Sequence, residues 1–288
     1  MRYTPAVAGW LHEQLGEAIT QGRALPGATT AEVTTFESRD RGYVLKLFNQ
    51  VFFVEEEPDR AIHEATVLDV LGGADLPTPR LVAFDGDGSQ CGVPAVLMTR
   101  LPGERGVGIQ HAAEIVELAA RLHGVSPEVP AAIRWGFQRY NQGLEVRPPR
   151  WATDVKLWTD VLGVVASDPP MDGWGLIHRD YNSTNFLSSG DRVTGLVDWL
   201  SGCRGPFGID AARLRLDLAI DGESEVASAV TEAFSRSEHD VIDPFWDLVD
   251  AVDLLPFYRG FEAVDGWGDP VRRARLEGFI REAVNRLM

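Results

Sequence analysis

Hydrophobic periodicity changes once along this chain. Up to about residue 100, short extended runs surround one strong helical stretch, whereas beyond about residue 110 apolar residues recur at helical spacing. A length of 288 residues accommodates two unequal lobes. The fold class expected is α+β, with a small N-terminal antiparallel sheet lobe carrying one main helix and a larger, mostly helical C-terminal lobe. Extended segments are predicted at Ala31 to Ser38, Arg41 to Asn49, Arg80 to Asp85 and Val93 to Arg100, the first two joined by a tight turn at Asp40, Arg41 and Gly42. Between these pairs a helix is predicted to start at Pro58 and stop at Gly72 and Gly73. Further helices are predicted near 111–124, 151–166, 208–219, 224–235, 243–258 and 270–287, with short strands at Asn185 to Ser188 and Arg192 to Trp199. Leu101 to Gln110 carries Pro102, Gly103, Gly106 and Gly108, so the boundaries expected are 1–100, a linker at 101–110, and 111–288.

Charge narrows the partners. Lys plus Arg number 27 against 43 Asp plus Glu, a net charge of −16, which argues against nucleic acid or an anionic membrane and allows a cationic ligand. Cys91 and Cys203 have no metal-ligand spacing and read as incidental thiols of a reducing compartment. Residues 1–20 lack a basic segment followed by an apolar core, and no run of 18 apolar residues occurs, so a cytoplasmic location is expected. The sequence leaves the oligomeric state open.

The most specific chemistry lies between Leu176 and Leu187, where an apolar pair leads into His178-Arg179-Asp180 and, five residues after Asp180, Asn185. The letters read H-R-D-x-x-x-x-N. Phosphoryl transfer needs a carboxylate to orient and accept the acceptor hydroxyl, and an amide oxygen nearby to hold magnesium against nucleotide phosphates. Asp180 and Asn185 suit those roles, although a solvated Asp-rich loop fits the same letters. Thirteen residues on, the alternating run Val193 to Val197 ends at Asp198, a carboxylate placed to meet a metal.

Lysine use adds a third signal. Only Lys46 and Lys156 occur among the 27 basic residues, and Lys46 interrupts an otherwise apolar strand, Tyr43 to Phe48, so its ammonium needs an anion. Nucleotide phosphates are one source. Glu64 interrupts the inward stripe Ala61, Leu68 and Leu71 of the helix after Pro58, and its simplest buried partner is Lys46; a surface contact with Arg60 is the alternative.

Together these signals resemble the aminoglycoside phosphotransferase and choline kinase-like family of small-molecule kinases, from about Ala24 to the last helices. The most specific part is Leu176 to Leu187 with Gly195-Leu196-Val197-Asp198-Trp199 and Gly208-Ile209-Asp210. The resemblance implies a bilobal protein-kinase-like fold and a phosphotransferase using ATP or GTP with Mg2+ on a hydroxyl of a small molecule. Asp180 is then the base, Asn185 and Asp198 hold magnesium, and Lys46 with Glu64 organises the phosphates. His178 and Asp210 are structural supports, Asp210 accepting catalytic-loop N–H groups. Pro94 to Gly103 resembles the interlobe hinge, Met98 lining the adenine pocket while Thr99 and Leu101 offer backbone groups to the base. His123 reads as a packing residue. Pro26 to Ala31, with one glycine, is a weak match to a phosphate-covering loop.

Only eleven residues separate Asp198 from Asp210 and no A-P-E follows, which leaves no room for a peptide-docking activation segment and favours a small acceptor over a protein. A nucleotide-binding, pseudokinase-like interaction module is the alternative of another class. The family's acceptors include antibiotics, choline, amino-acid alcohols and sugars. Between Asp217 and Asp269 stand 14 acidic residues against Arg236 and Arg259, in the region that frames the family's acceptor pocket. This suggests recognition of a cationic, aminoglycoside-like acceptor, with Asp243, Asp247 and Asp250 sharing a helix face as the nominated contacts; a solvated acidic surface is the alternative. Trp246, Phe257, Tyr258 and Trp267 offer aromatic faces to the same acceptor or belong to the core.

Overall fold

A computed structural model describes residues 1–25, 30–49, 59–125, 132–143, 145–170, 173–255 and 269–287. In the sheet lobe, β1 (Arg23–Ala24), β2 (Glu32–Ser38), β3 (Arg41–Leu47), β4 (Leu81–Asp85) and β5 (Ala95–Thr99) form an antiparallel sheet in the order β1-β2-β3-β5-β4. The β2–β3 turn is Arg39-Asp40, both at positive φ (48° and 62°), with Ser38 opposite Arg41. Such a two-residue turn matches the twist of the strands it joins, so Arg41 and Gly42 belong to β3 and not to the turn as expected.

Side chains alternate across this sheet. Leu45, Leu47, Ala95 and Leu97 pack with Val7, Trp10 and Leu11 of α1 (Pro5–Leu15), an element the sequence reading missed. Its signals were present: Thr4 caps it by accepting from Val7 N–H, Pro5 opens it, and Gly16 ends it at φ 70°. On the other face, Val96 and Met98 pack with Ala61, Ala65, Leu68 and Leu71 of α2 (Arg60–Leu71). The predicted start at Pro58 lies outside the described residues.

Leaving β5, the chain turns at Gly103, whose φ of 108° and whose approach to the Ser188 carbonyl exclude a side chain. The segment read as a linker contains β6 (Glu104–Arg105), which pairs with β8 (Phe186–Ser189), and β8 pairs in turn with β9 (Arg192–Leu196). A second ribbon joins β7 (Trp174–Ile177) to β10 (Cys203–Pro206). β6, β7 and β10, of two to four residues, were not read from sequence, because so short a run carries little alternation.

The helices of this lobe are α3 (Ala112–His123), α4 (Val155–Val165), α5 (Gly208–Asp221), α6 (Ser224–Arg236), α7 (Pro244–Asp253) and α8 (Pro270–Leu287). Helix α5 is buried on two sides. Ala211, Leu214 and Leu218 join a core with α3 and α6, while Ile209, Ala212, Leu216 and Ile220 join one with α4, α7 and α8. Trp246 belongs to that second core; Phe257, Tyr258 and Trp267 lie outside the described residues. No helix among the described residues is long and apolar enough to cross a membrane. Cys91 and Cys203 are buried free thiols.

Because Trp10 is buried between α1 and the sheet, Trp10→Ala should cost about 3–5 kcal/mol. A fall in denaturant midpoint checks this; an unchanged midpoint would show that α1 does not pack on the sheet.

Candidate active site

Asp210 opens α5 with no exposure to solvent, and its carboxylate must therefore be fully partnered. Oδ2 accepts from His178 N–H and Oδ1 from Arg179 N–H, both at 2.8 Å. These bonds fold back the chain leaving β7 and hold Arg179 at φ 66°, a left-handed conformation costly for a side chain other than glycine. His123 Nε2 lies 3.2 Å from Asp210 Oδ2, and its Nδ1 lies 2.6 Å from His239 Nε2. The Asp210 carboxylate faces His123 Nε2, which leaves His123 Nδ1 against His239 Nε2. His123 also stacks on Phe207, so it both packs and extends the polar chain. Burial, reinforced by His123, lowers His239 to about 4 and keeps it neutral near pH 7.

The loop that follows is closed by its own side chains. Asn185 Nδ2 donates to the Asp180 carbonyl and to Asp180 Oδ2, each at 2.9 Å, and Asn182 Nδ2 donates to Asp180 Oδ1 at 2.9 Å. Ser183 N–H and hydroxyl both donate to Asp217 on α5. Tyr181 hydroxyl donates to the Ile115 carbonyl on α3. His178 Nε2 donates to the Val197 carbonyl at 3.0 Å and its ring packs edge-on against Trp199, which ties this loop to the segment carrying Asp198. Asp198 lies two residues beyond β9, at φ 68°.

Asp198 meets the sheet lobe through Lys46. The ammonium donates to Glu64 Oε1 at 2.5 Å and to Asp198 Oδ1 at 2.8 Å, so Lys46 from β3, Glu64 from α2 and Asp198 form one cluster. Glu64 is buried and pairs with Lys46 rather than lying on the surface. Burial alone would favour a neutral amine, but Asp198 and Glu64 outweigh it and hold Lys46 above its usual range. Lys46 in turn holds Asp198 below the usual carboxylate range. The donors suited to a hard cation are Asn185 Oδ1, whose geminal amide N–H groups both go to Asp180, and the half-exposed Asp198 carboxylate. No group of three or more His, Cys, Asp or Glu that could hold a metal ion occurs among the described residues, so a cation here would complete its shell from phosphate and water.

At the hinge, Met98 is buried on the sheet face that meets α2. Thr99 N–H donates to the Arg80 carbonyl and its hydroxyl oxygen accepts from Arg80 N–H, so its backbone N–H is committed within the sheet lobe. Leu101 packs against Gly195, where a Cβ would lie 2.7 Å from its side chain. Of the segment Pro26 to Ala31, residues 26–29 lie outside the described residues.

The nominated acidic contacts require correction. Asp243 caps α7, accepting from Phe245 N–H at 2.7 Å. Asp247 is buried against Arg215 and Arg286, and Asp250 is buried against Arg179 at 3.2 Å. Asp253 takes the other arm of Arg179 at 2.8 Å, and the guanidinium lies over the Tyr140 ring at 4.1 Å. The carboxylates of α7 therefore form internal ion pairs and not an open acidic wall. Their cations come from outside the Asp217–Asp269 window, which is why a local charge count exposed none of them. Arg179, Arg213 and Asp217 also escaped the site reading, although Asp210, Arg213 and Asp217 mark an i, i+3, i+7 polar stripe on a predicted helix.

A two-lobed kinase-like architecture with this loop defines a class, and comparison identifies the family. The sequence matches the phosphotransferase enzyme family, APH, over residues 21–273, and the chain belongs to that family. Among solved structures it is similar to a thermostable mutant of aminoglycoside phosphotransferase APH(4)-Ia in ternary complex with ADP and hygromycin B (16% identity, 97% of this chain and 98% of that one, TM-score 0.63). Another is macrolide 2'-phosphotransferase MphH from Brachybacterium faecium (17%, 96% and 98%, TM-score 0.61). A third is an aminoglycoside-3'-phosphotransferase of type VIII (20%, 86% and 99%, TM-score 0.57). At these identities the likeness is one of fold. No curated protein matches the sequence.

Burial raises Asp253 to about 6 against the opposing pull of Arg179. The folded chain then binds this proton more tightly than the unfolded chain, so the stabilisation is complete below about pH 4 and is lost as pH rises through about 6. Relative to Asp253→Asn, the wild type should gain roughly 2 kcal/mol of unfolding free energy between pH 7 and pH 4. Denaturant titrations at both pH values check this, and a pH-independent difference would contradict it.

Proposed function

We propose that this chain transfers the γ-phosphoryl group of ATP to a hydroxyl of a small-molecule acceptor, with Asp180 as the base. The observation that carries the reading is the joint presence of Asp180 clamped by Asn185 and of Lys46 bridging Glu64 and Asp198. The sheet lobe holds the nucleotide and the helical lobe the acceptor. Met98 lines the adenine pocket, the Thr99 carbonyl and Leu101 N–H meet the adenine edge, and Lys46 holds phosphate oxygens. Asn185 and Asp198 fit a magnesium ion, which when bound neutralises charge on the nucleotide phosphates. Asp180 orients the acceptor hydroxyl and takes its proton as the oxygen attacks the γ-phosphorus; the bond to ADP breaks, and ADP leaves. Support for ATP comes from the ADP and AMP-PNP complexes of aminoglycoside phosphotransferase APH(4)-Ia, and support for a hydroxylated acceptor from their hygromycin B.

Phosphoryl transfer is favoured over an interaction module because both Asp180 oxygens are oriented and Asp198 retains an exposed carboxylate, features that nucleotide binding alone does not need. Asp180→Ala should lower ADP release with an accepted substrate about a hundredfold or more while leaving ATP affinity nearly intact. Turnover within severalfold of wild type would overturn the assignment of the base. Asp198→Asn should weaken Mg-ATP binding far more than binding of metal-free ATP, measured by calorimetry with and without EDTA. Equal losses would remove Asp198 from the metal.

A further inference from the structure

We infer that Arg213 selects the acceptor, favouring a small molecule that carries a carboxylate or similar oxyanion near its reacting hydroxyl over a polycation. This rests on the phosphotransferase reading above. Arg213 lies one helical turn after Asp210, so the helix that fixes the catalytic loop also delivers a guanidinium to the base. Its Nε donates to Asp180 Oδ1 at 3.3 Å, and its Nη1 stands 3.9 Å from Asp250 Oδ2, beyond hydrogen-bond length. Burial disfavours the charge, but Asp250 and Asp180 outweigh it and the group stays cationic.

Exposure gives this cation a direction, because it separates the charges a ligand meets from those the chain contains. Asp247, Asp250 and Asp253 are at most 4% exposed, whereas the Asp180 side chain is 31% and that of Arg213 18% exposed, with Tyr140 also reaching solvent. Beside the base, an acceptor therefore meets a guanidinium and a phenol before any carboxylate of α7. A guanidinium presents five N–H donors in a planar fork. One of them serves Asp180, and the rest of the fork matches a carboxylate held next to the reacting hydroxyl. An ammonium in that position would face the guanidinium at short range, which opposes binding.

The test measures ADP release from Mg-ATP by the full chain, with short hydroxy acids, sugar acids and the primary amide of each as matched acceptors, and hygromycin B as the polycation. The acid member of at least one pair should have kcat/KM about tenfold or more above its amide, the scale of one charge-assisted hydrogen bond. Arg213→Gln should bring that ratio to about one, and Arg213→Lys should retain part of it. Circular dichroism establishes that both variants are folded, and Arg213→Lys decides if Arg213→Gln is not. Turnover confined to amides or hygromycin B would overturn the inference. Equal losses on acid and amide would do so too, because Arg213 would then only position Asp180. ADP release insensitive to Asp180→Ala would overturn the phosphotransferase reading itself.

Discussion

The Asp180 loop of the candidate site depends on one buried carboxylate. Asp210 has no water to solvate it, so its charge is tolerable only if several donors converge on it, and the His178 and Arg179 amides with the His123 ring supply them. The dependence is mutual. Without Asp210, two amides would stand unsatisfied in the core, each costing about 1–3 kcal/mol, and nothing would offset the left-handed backbone of Arg179. That backbone turns the chain between the end of β7 and Asp180. The proposed base is therefore positioned by a residue that is itself sealed from solvent, and its rigidity derives from the double burial of α5 between two hydrophobic cores.

Lys46 performs the equivalent service between the lobes. One ammonium touches carboxylates from α2 and from the segment after β9, so the sheet lobe is electrostatically tied to the candidate metal ligand. The three groups sum to one negative charge. Of the two carboxylates, Glu64 is sealed and Asp198 opens to solvent, which makes Asp198 the one able to exchange its partner while Glu64 keeps the lysine in place. The neighbouring contact of His63 Nε2 with the Gly202 carbonyl, under a stacked Trp135, repeats this tie a short distance away in neutral form. Burial lowers His63 to about 4, so this second tie stays uncharged near neutral pH.

Legibility followed the range of the interaction. The order of sheet and helix, the hairpin, and the loop letters from His178 to Asn185 could be read because period and spacing are local properties. Lys46 and Glu64 could be nominated as partners because each breaks an apolar pattern, which is a local observation with a nonlocal consequence. The Lys46 contact with Asp198 spans 152 residues and had no such trace. Helix α1 was missed although Thr4, Pro5 and Gly16 marked both its ends. Arg213 and Asp217 were overlooked for a different reason: on a helix, charged residues are ordinarily solvated, and only the packing of α5 on both sides shows that this stripe faces the catalytic loop.

The acidic stretch shows the limit of charge counting. A window from Asp217 to Asp269 holds 14 acids and two arginines, yet α7, at its centre, is buried along nearly its whole length. Carboxylates in that position cannot remain unpaired, because desolvation costs more than distant screening charges return. They pair with Arg179, Arg215 and Arg286, which lie outside the window in sequence and beside it in space. Net charge therefore governs what drifts toward the molecule over a Debye length of about 8–10 Å, and the exposed remainder governs what binds. Near Asp180 that remainder is mixed, because the exposed part of the Asp180 carboxylate stands beside that of the Arg213 guanidinium.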